Sequence, residues 1–137
     1  MLSNTPRQAD YRARALEAAN LEAGREENAR RRGGSSSRVE HPIPDMGVTI
    51  PEKMVNTLNA IDASLDRGET VYVHCWGGIG RTGTVVGCWL VRHGSTANEA
   101  IELIRERRIG LRVFKRYPDS PQTSAQARFI DAWQPGK

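Results

Sequence analysis

The run Val71-Tyr72-Val73-His74-Cys75-Trp76-Gly77-Gly78-Ile79-Gly80-Arg81-Thr82-Gly83 carries an apolar strand-like pattern into a cysteine, five loop residues, an arginine and a threonine. Those residue types at that spacing describe a thiolate beneath an anion cradle. Three glycines, Gly77, Gly78 and Gly80, let successive backbone N–H groups turn inward onto one anion. The apolar run from Thr84 to Val91 reads as a helix, so the anion would also meet a helix N-terminus, where unpaired N–H groups and the macrodipole favour negative charge. The same surroundings ease ionisation of Cys75, since a free thiol with a pKa of about 8.5 is otherwise mostly protonated near neutrality. Arg81 could hold two phosphoryl oxygens with its planar fork, which lysine cannot do. In-line attack by Cys75 would then form a cysteinyl-phosphate and split one hard displacement into two easier ones.

The elements that must position these groups follow from local pattern. Thr70 to His74 reads as a strand that delivers Cys75 at its carboxyl end, where open α/β sheets bind ligands. The helix after the loop is expected to stop at Gly94. From Glu52 to Arg67, Met54, Leu58, Ile61 and Leu65 recur at helical spacing, and Gly68 supplies the left-handed stop. Thr96 with Glu99 forms a capping box for a helix over Ala97 to Arg108, with Ala97, Ala100, Ile101 and Ile104 inward. A last helix is expected from Ser124 to about Trp133. Arg38 to Ile43 reads as a second strand, and Pro44 to Pro51 as a loop punctuated by two prolines and a glycine. Upstream, Thr5-Pro6 opens an Ala-, Glu- and Arg-rich helix over Arg7 to Arg32 with a shallow apolar stripe, followed by Gly33-Gly34-Ser35-Ser36-Ser37. The expected organisation is a helical arm and linker over 1–38 and a catalytic domain over 39–137.

Composition narrows the function class. A chain of 137 residues with 38% hydrophobic content fits one ordinary core. Its longest apolar stretch, Val85 to Val91, is far short of the roughly 20 residues of a spanning helix, and the polar start lacks a signal peptide's apolar core. The expectation is a cytoplasmic monomer with no membrane partner. Cys75 and Cys88 are too far apart along the chain's helix for a disulfide, and a working thiolate needs a reducing compartment. The net charge of +4 divides into eight Arg and five acids over 1–38 and twelve basic and eleven acidic residues over 39–137. The Arg30-Arg31-Arg32 cluster has no interleaved aromatics, so it reads as a solvated helix end, with no nucleic-acid partner expected. His41, His74 and His93 do not cluster with carboxylates at ligand spacing, so neither a metal nor another cofactor is expected.

His74-Cys75, five residues, then Arg81-Thr82-Gly83 resembles the signature loop of the cysteine-dependent protein tyrosine phosphatase superfamily, in the flavour of compact bacterial tyrosine or dual-specificity enzymes. Ile43-Pro44-Asp45 resembles that family's upstream general-acid loop, and Gln122-Thr123-Ser124-Ala125-Gln126 its water-ordering Gln-Thr-x-x-Gln segment. The resemblance implies an α/β fold with a central sheet flanked by helices. It implies Cys75 as nucleophile, Arg81 as phosphate grip, Asp45 as general acid and then base, and Thr82 as the hydroxyl that eases departure of sulfur. Gln122 and Gln126 would position the water; otherwise they are simply a surface helix start. Trp76, Gly77, Gly78, Ile79, Gly80 and Arg81 would contact the phosphoryl group, with His74 supporting the loop from the buried strand. Burial gain favours Trp76 packing beneath the loop. The chain departs from the pattern in having few residues for the family's N-terminal strands, so the sheet is expected to lack them. Trp76 to Gly80 include no Lys or Arg, which points to a singly phosphorylated group such as phosphotyrosine on a protein, or a small phosphate ester. A phosphoinositide substrate, or phosphate binding with little turnover, is the alternative.

Overall fold

The computed structural model describes residues 37–137. The expected helical arm lies almost wholly outside them. Four helices form the framework: α1 (Pro51–Asp66), α2 (Gly80–Arg92), α3 (Ala97–Arg108) and α4 (Ser124–Asp131), with a 3₁₀ turn at Arg112–Lys115 between the last two. Helix α2 is the centre, and α1, α3 and α4 all pack on it.

Each helix starts and stops for a legible reason. Pro51 presets the first turn of α1, and Gly68, at φ 78°, closes it. There the Glu69 N–H donates to Ser64 O at 3.0 Å and the Gly68 N–H to Leu65 O at 2.9 Å, the paired bonds of a left-handed helix stop. The predicted capping box of α3 is present: the Glu99 N–H donates to Thr96 Oγ1 at 3.2 Å and the Thr96 N–H to Glu99 Oε2 at 2.8 Å. Ala100 and Ile104 are buried, with Ala97 and Ile101 packed beside them, as the periodicity predicts.

Helix α2 is buried on nearly every side, including Val85, Cys88, Trp89, Leu90 and Val91. Its glycines permit that crowding. A Cβ at Gly87 would lie 2.4 Å from Ile130 Cδ1 of α4. Asp62 joins α1 to α2, accepting from Trp89 Nε1 at 2.8 Å and Arg92 NH1 at 2.9 Å and meeting His93 Nε2 at 2.9 Å. Burial alone would raise the Asp62 pKa, but the bonds from His93, Arg92 and Trp89 outweigh it and hold the carboxyl below its usual range.

The structure corrects the expected sheet. Among the described residues there is no strand: Arg38 to Ile43 and Thr70 to His74 are extended, but no ladder links them to each other or to anything else described. Val71, Val73 and Ile43 pack against the helical core while Tyr72 and His74 face outward. The period-2 pattern therefore recorded which side of an extended segment is buried. Pairing is a separate condition, because a strand's N–H and C=O groups need a partner that alternation does not supply. The 38–43 segment is held instead by side chains, with His41 Nδ1 3.0 Å from Thr57 Oγ1 of α1.

Candidate active site

The extended segment ends at half-buried Cys75, and residues 76–79 carry the chain into the first turn of α2. Thr82 Oγ1 donates to Cys75 Sγ at 3.1 Å and the Gly78 N–H donates at 3.2 Å. Burial would push this thiol up. The Thr82 hydroxyl, then the backbone N–H groups of Thr82, Gly78 and Ile79, outweigh it and bring the Cys75 pKa below its ordinary value. Cys88, inside α2 without such donors, is pushed up to about 12 by burial. Two thiols thirteen residues apart thus receive opposite treatment.

The loop glycines serve different needs. Gly78 sits at φ 67°, the left-handed region that turns its N–H onto the sulfur. Gly80 is required by close approach, since a Cβ there would lie 2.9 Å from Gln126 Oε1. Ser120, buried and absent from the sequence-based site, donates its hydroxyl to Ile79 O at 2.6 Å. A Cβ at Gly83 would meet that same hydroxyl at 2.2 Å. The segment from Ser120 to Gln126 is thus a brace against the back of the loop. No spacing rule flags Ser120, because its partner is 41 positions away.

Asp45 occupies the tight turn Pro44–Gly47, closed by the Gly47 N–H donating to Pro44 O at 3.0 Å. Met46 takes the left-handed conformation at φ 59°. The Asp45 carboxylate is 81% exposed and reaches Arg81 NH2 at 3.3 Å. Arg81 NH1 also donates to Ile43 O at 3.4 Å. The structure thus brings Cys75, Arg81, Thr82 and Asp45 into one site from segments thirty residues apart.

Gln126 is fully buried. Its Oε1 accepts from the Gln122 and Thr123 N–H groups, each at 3.1 Å, and its Nε2 donates to Gly47 O at 3.1 Å. Both ends of the amide are engaged, so Gln126 ties the acid turn to the start of α4. Thr123-x-x-Gln126 is a capping box, and this pattern was available to a sequence reading alongside Thr96 and Glu99. Gln122 is exposed beside the loop, its Cβ 3.3 Å from where a Gly80 Cβ would stand. Two orientations differ from expectation. Trp76 is 98% exposed rather than packed under the loop. His74 is exposed and stacks on Tyr72 with ring centroids 5.2 Å apart, outside the buried setting expected for it.

Among the described residues, no three His, Cys, Asp or Glu side chains gather to hold a metal, and no helix is long and apolar enough to cross a membrane. The sequence model of a phosphatase family, described as a polymorphic toxin system DSP-PTPase phosphatase, matches residues 15–95. The chain is 40% identical over 55 residues to the tyrosine-protein phosphatase CDC14 of Candida albicans, covering 39% of this chain and 10% of that protein. It is 37% identical over 69 residues to CDC14 of Saccharomyces cerevisiae, covering 50% of this chain and 12% of the relative. To the dual specificity protein phosphatase CDC14AB of Danio rerio it is 54% identical over 41 residues, 29% of this chain and 7% of the relative. The matched stretch therefore spans about a tenth of these relatives' length. No solved structure matches.

Proposed function

From the premise that this chain belongs to the DSP-PTPase phosphatase family, within the cysteine-dependent protein tyrosine phosphatase superfamily, we propose that it hydrolyses phosphate monoesters through a cysteinyl-phosphate, acting on phosphotyrosine or as a dual-specificity enzyme. The observation that carries this reading is the setting of Cys75 Sγ, with hydroxyl and amide donors at 3.1 and 3.2 Å and a pKa lowered by them.

In the first step the thiolate attacks phosphorus, the S–P bond forms and the ester P–O bond breaks. A proton that the Asp45 carboxylate takes from solvent on leaving Arg81 passes to the departing oxygen. Arg81 holds two of the three equatorial oxygens and stabilises the charge they share. Its present partners, the Asp45 carboxylate and the Ile43 carbonyl, occupy the donors that a phosphoryl group would take. Binding of substrate thus replaces Asp45 on Arg81 and frees the carboxyl for the leaving group. In the second step water, oriented from the rim by Gln122, attacks phosphorus and passes a proton to Asp45 as the S–P bond breaks. Thr82 donates to the sulfur and stabilises the leaving thiolate. Inorganic phosphate departs.

The loop's lack of Lys or Arg from Trp76 to Gly80 supports a singly phosphorylated substrate, and the exposed indole of Trp76 offers an aromatic surface beside it. The test is hydrolysis of p-nitrophenyl phosphate, phosphotyrosine and phosphoserine peptides and a phosphoinositide, by wild type and Cys75→Ser. We expect turnover of the aryl ester and phosphotyrosine peptide, abolished by Cys75→Ser with retained binding of the peptide. Turnover surviving in that variant removes the covalent mechanism, and a preference for the phosphoinositide removes the protein substrate.

A further inference from the structure

The near balance of charge over residues 39–137 conceals a strongly cationic stretch. Residues 105–116 hold Arg105, Arg107, Arg108, Arg112, Lys115 and Arg116 against one acid, Glu106, an excess above the whole chain's +4. The chain reversal within this stretch keeps them close along the backbone. After α3 the chain reverses at Gly110, φ 95°, and the 3₁₀ turn folds back so that buried Arg108 donates to Pro118 O at 3.1 Å and Tyr117 O at 2.8 Å. Arg107, Arg112, Lys115 and Arg116 are left exposed, with no ion pair to an acid among the described residues. Cations in the last turn of α3 complement its dipole, which accounts for Arg105 and Arg107. Arg112, Lys115 and Arg116 lie beyond the helix and gain nothing from it. Like charges crowded on one surface repel, and a polyanion laid across them relieves that.

The surface also selects among polyanions. Ile109, 63% exposed, stands among the cations as an apolar contact. One face of the Tyr117 ring is capped by the Arg116 guanidinium at 5.5 Å, and no second exposed aromatic side chain lies within residues 105–117 to make a stacking platform for bases. The apolar side of α3 is spent on the core, which leaves none to lie in a membrane interface. Position links this surface to the site. Tyr117 is three residues from Ser120, whose hydroxyl holds the phosphate loop at Ile79, a span of about 11 Å at most for extended chain.

We propose that the surface of Arg107, Arg112, Lys115 and Arg116 around Ile109 binds an acidic segment flanking the phosphorylated residue of a protein substrate. The proposal rests on the phosphatase reading above. An extended peptide advances about 3.3 Å per residue, so carboxylates four to six positions from the phosphorylated residue lie roughly 13–20 Å from it, the reach that the test spans.

The experiment compares two phosphotyrosine peptides of equal length, one with Asp and Glu four to six positions away on each side and one with Ser and Gln there. Wild type and the triple variant Arg112→Glu, Lys115→Glu, Arg116→Glu are assayed at low and physiological salt, with p-nitrophenyl phosphate as the folding control. We expect wild type to favour the acidic peptide by roughly tenfold or more in kcat/KM at low salt, less at higher salt, as charge steering requires. The variant should lose the preference while hydrolysing p-nitrophenyl phosphate at the wild-type rate. Equal rates for the two peptides in wild type, or a preference that survives charge reversal, overturns the proposal. So does binding of single-stranded RNA or phosphatidylserine vesicles that charge reversal removes while the peptides are not discriminated. Failure of wild type to hydrolyse p-nitrophenyl phosphate would instead strike the phosphatase reading, and titrating both peptides into Cys75→Ser reads the docking surface without turnover.

Discussion

The phosphate loop and the acid turn make one site but are held in different ways. On the loop side, Ile79, Gly80, Thr82, Gly83 and Thr84 are buried, Ser120 and Gln126 press on the back, and the donors already point at sulfur. On the acid side, Pro44–Gly47 is mostly exposed, and among the described residues Arg81 and Gln126 attach it by hydrogen bond and ion pair. Preorganisation is thus concentrated where, on the proposed mechanism, charge would build on the nucleophile and phosphate. Asp45, the proposed proton donor, is fixed by bonds, two of which a phosphoryl group would displace.

Arg81 serves both sides, so its replacement tests the comparison most severely. Arg81→Lys removes the bidentate fork and leaves the acid turn without its Ile43 and Asp45 contacts. We expect kcat/KM to fall by about 10²-fold or more, the scale of losing a preorganised oxyanion donor. Near-normal kinetics would show that phosphate is gripped elsewhere. Asp45→Asn touches only the acid side. It should cost about 10²–10⁴-fold on an alkyl or phenyl phosphate and much less on p-nitrophenyl phosphate, whose leaving group needs little protonation. Equal losses on both would make Asp45 a turn residue and require another acid.

The same contrast explains what could be read in the sequence. Cys75, Arg81 and Thr82 lie within eight residues, and one loop geometry links them, so type and spacing identify them without a fold. Helix limits at Gly68, Gly94 and Thr96 are equally local. Ser120 and the carbonyl of Ile43 act across 41 and 38 positions; nothing near Ser120 signals its part, and the Ile43-Pro44-Asp45 pattern points to the carboxylate and not to the Ile43 carbonyl. Trp76 misled because burial gain favours a packed indole, yet the backbone directs it outward. The sheet misled because alternation shows burial on one side and not pairing. The cationic surface was hidden by counting charge over 39–137 as a whole, when the turn at Gly110 concentrates it within a dozen residues.

Gln126 is the joint between the two sides, and replacing it should separate stability from acid function. Gln126→Leu leaves the part-buried N–H groups of Gln122 and Thr123 without their side-chain acceptor and Gly47 O without its donor, a cost of about 1–3 kcal/mol on the scale for lost partly buried hydrogen bonds. A lower urea midpoint should accompany a rate loss confined to poor leaving groups. Gln126→Glu keeps the acceptor but loses the donor to Gly47 O. Because it buries a carboxylate beside Gly47 O, it should regain only part of the stability and keep the leaving-group defect. If Gln126→Glu restores both, the contact to the acid turn has no catalytic consequence.

Thr82→Val tests the loop side with the smallest change, because valine fills the same space and the backbone donors to sulfur remain. The hydroxyl favours the thiolate, so its loss raises the Cys75 pKa toward the ordinary thiol range. Since the thiolate is the nucleophile, kcat/KM rises with pH through that pKa, and the ascending limb of the profile should move to higher pH in the variant. Activity lost at neutral pH should therefore return on the alkaline side, where both enzymes carry the thiolate. Stability carries the same sign. A thiol whose folded pKa is depressed adds stability at pH above its unfolded value and loses it as pH falls through the folded one. Wild type should therefore gain on Thr82→Val in melting temperature as pH rises across that window, and the two should converge below it. An ascending limb unmoved by the substitution would mean that the loop amides alone set the thiolate, with Thr82 acting only when the S–P bond breaks.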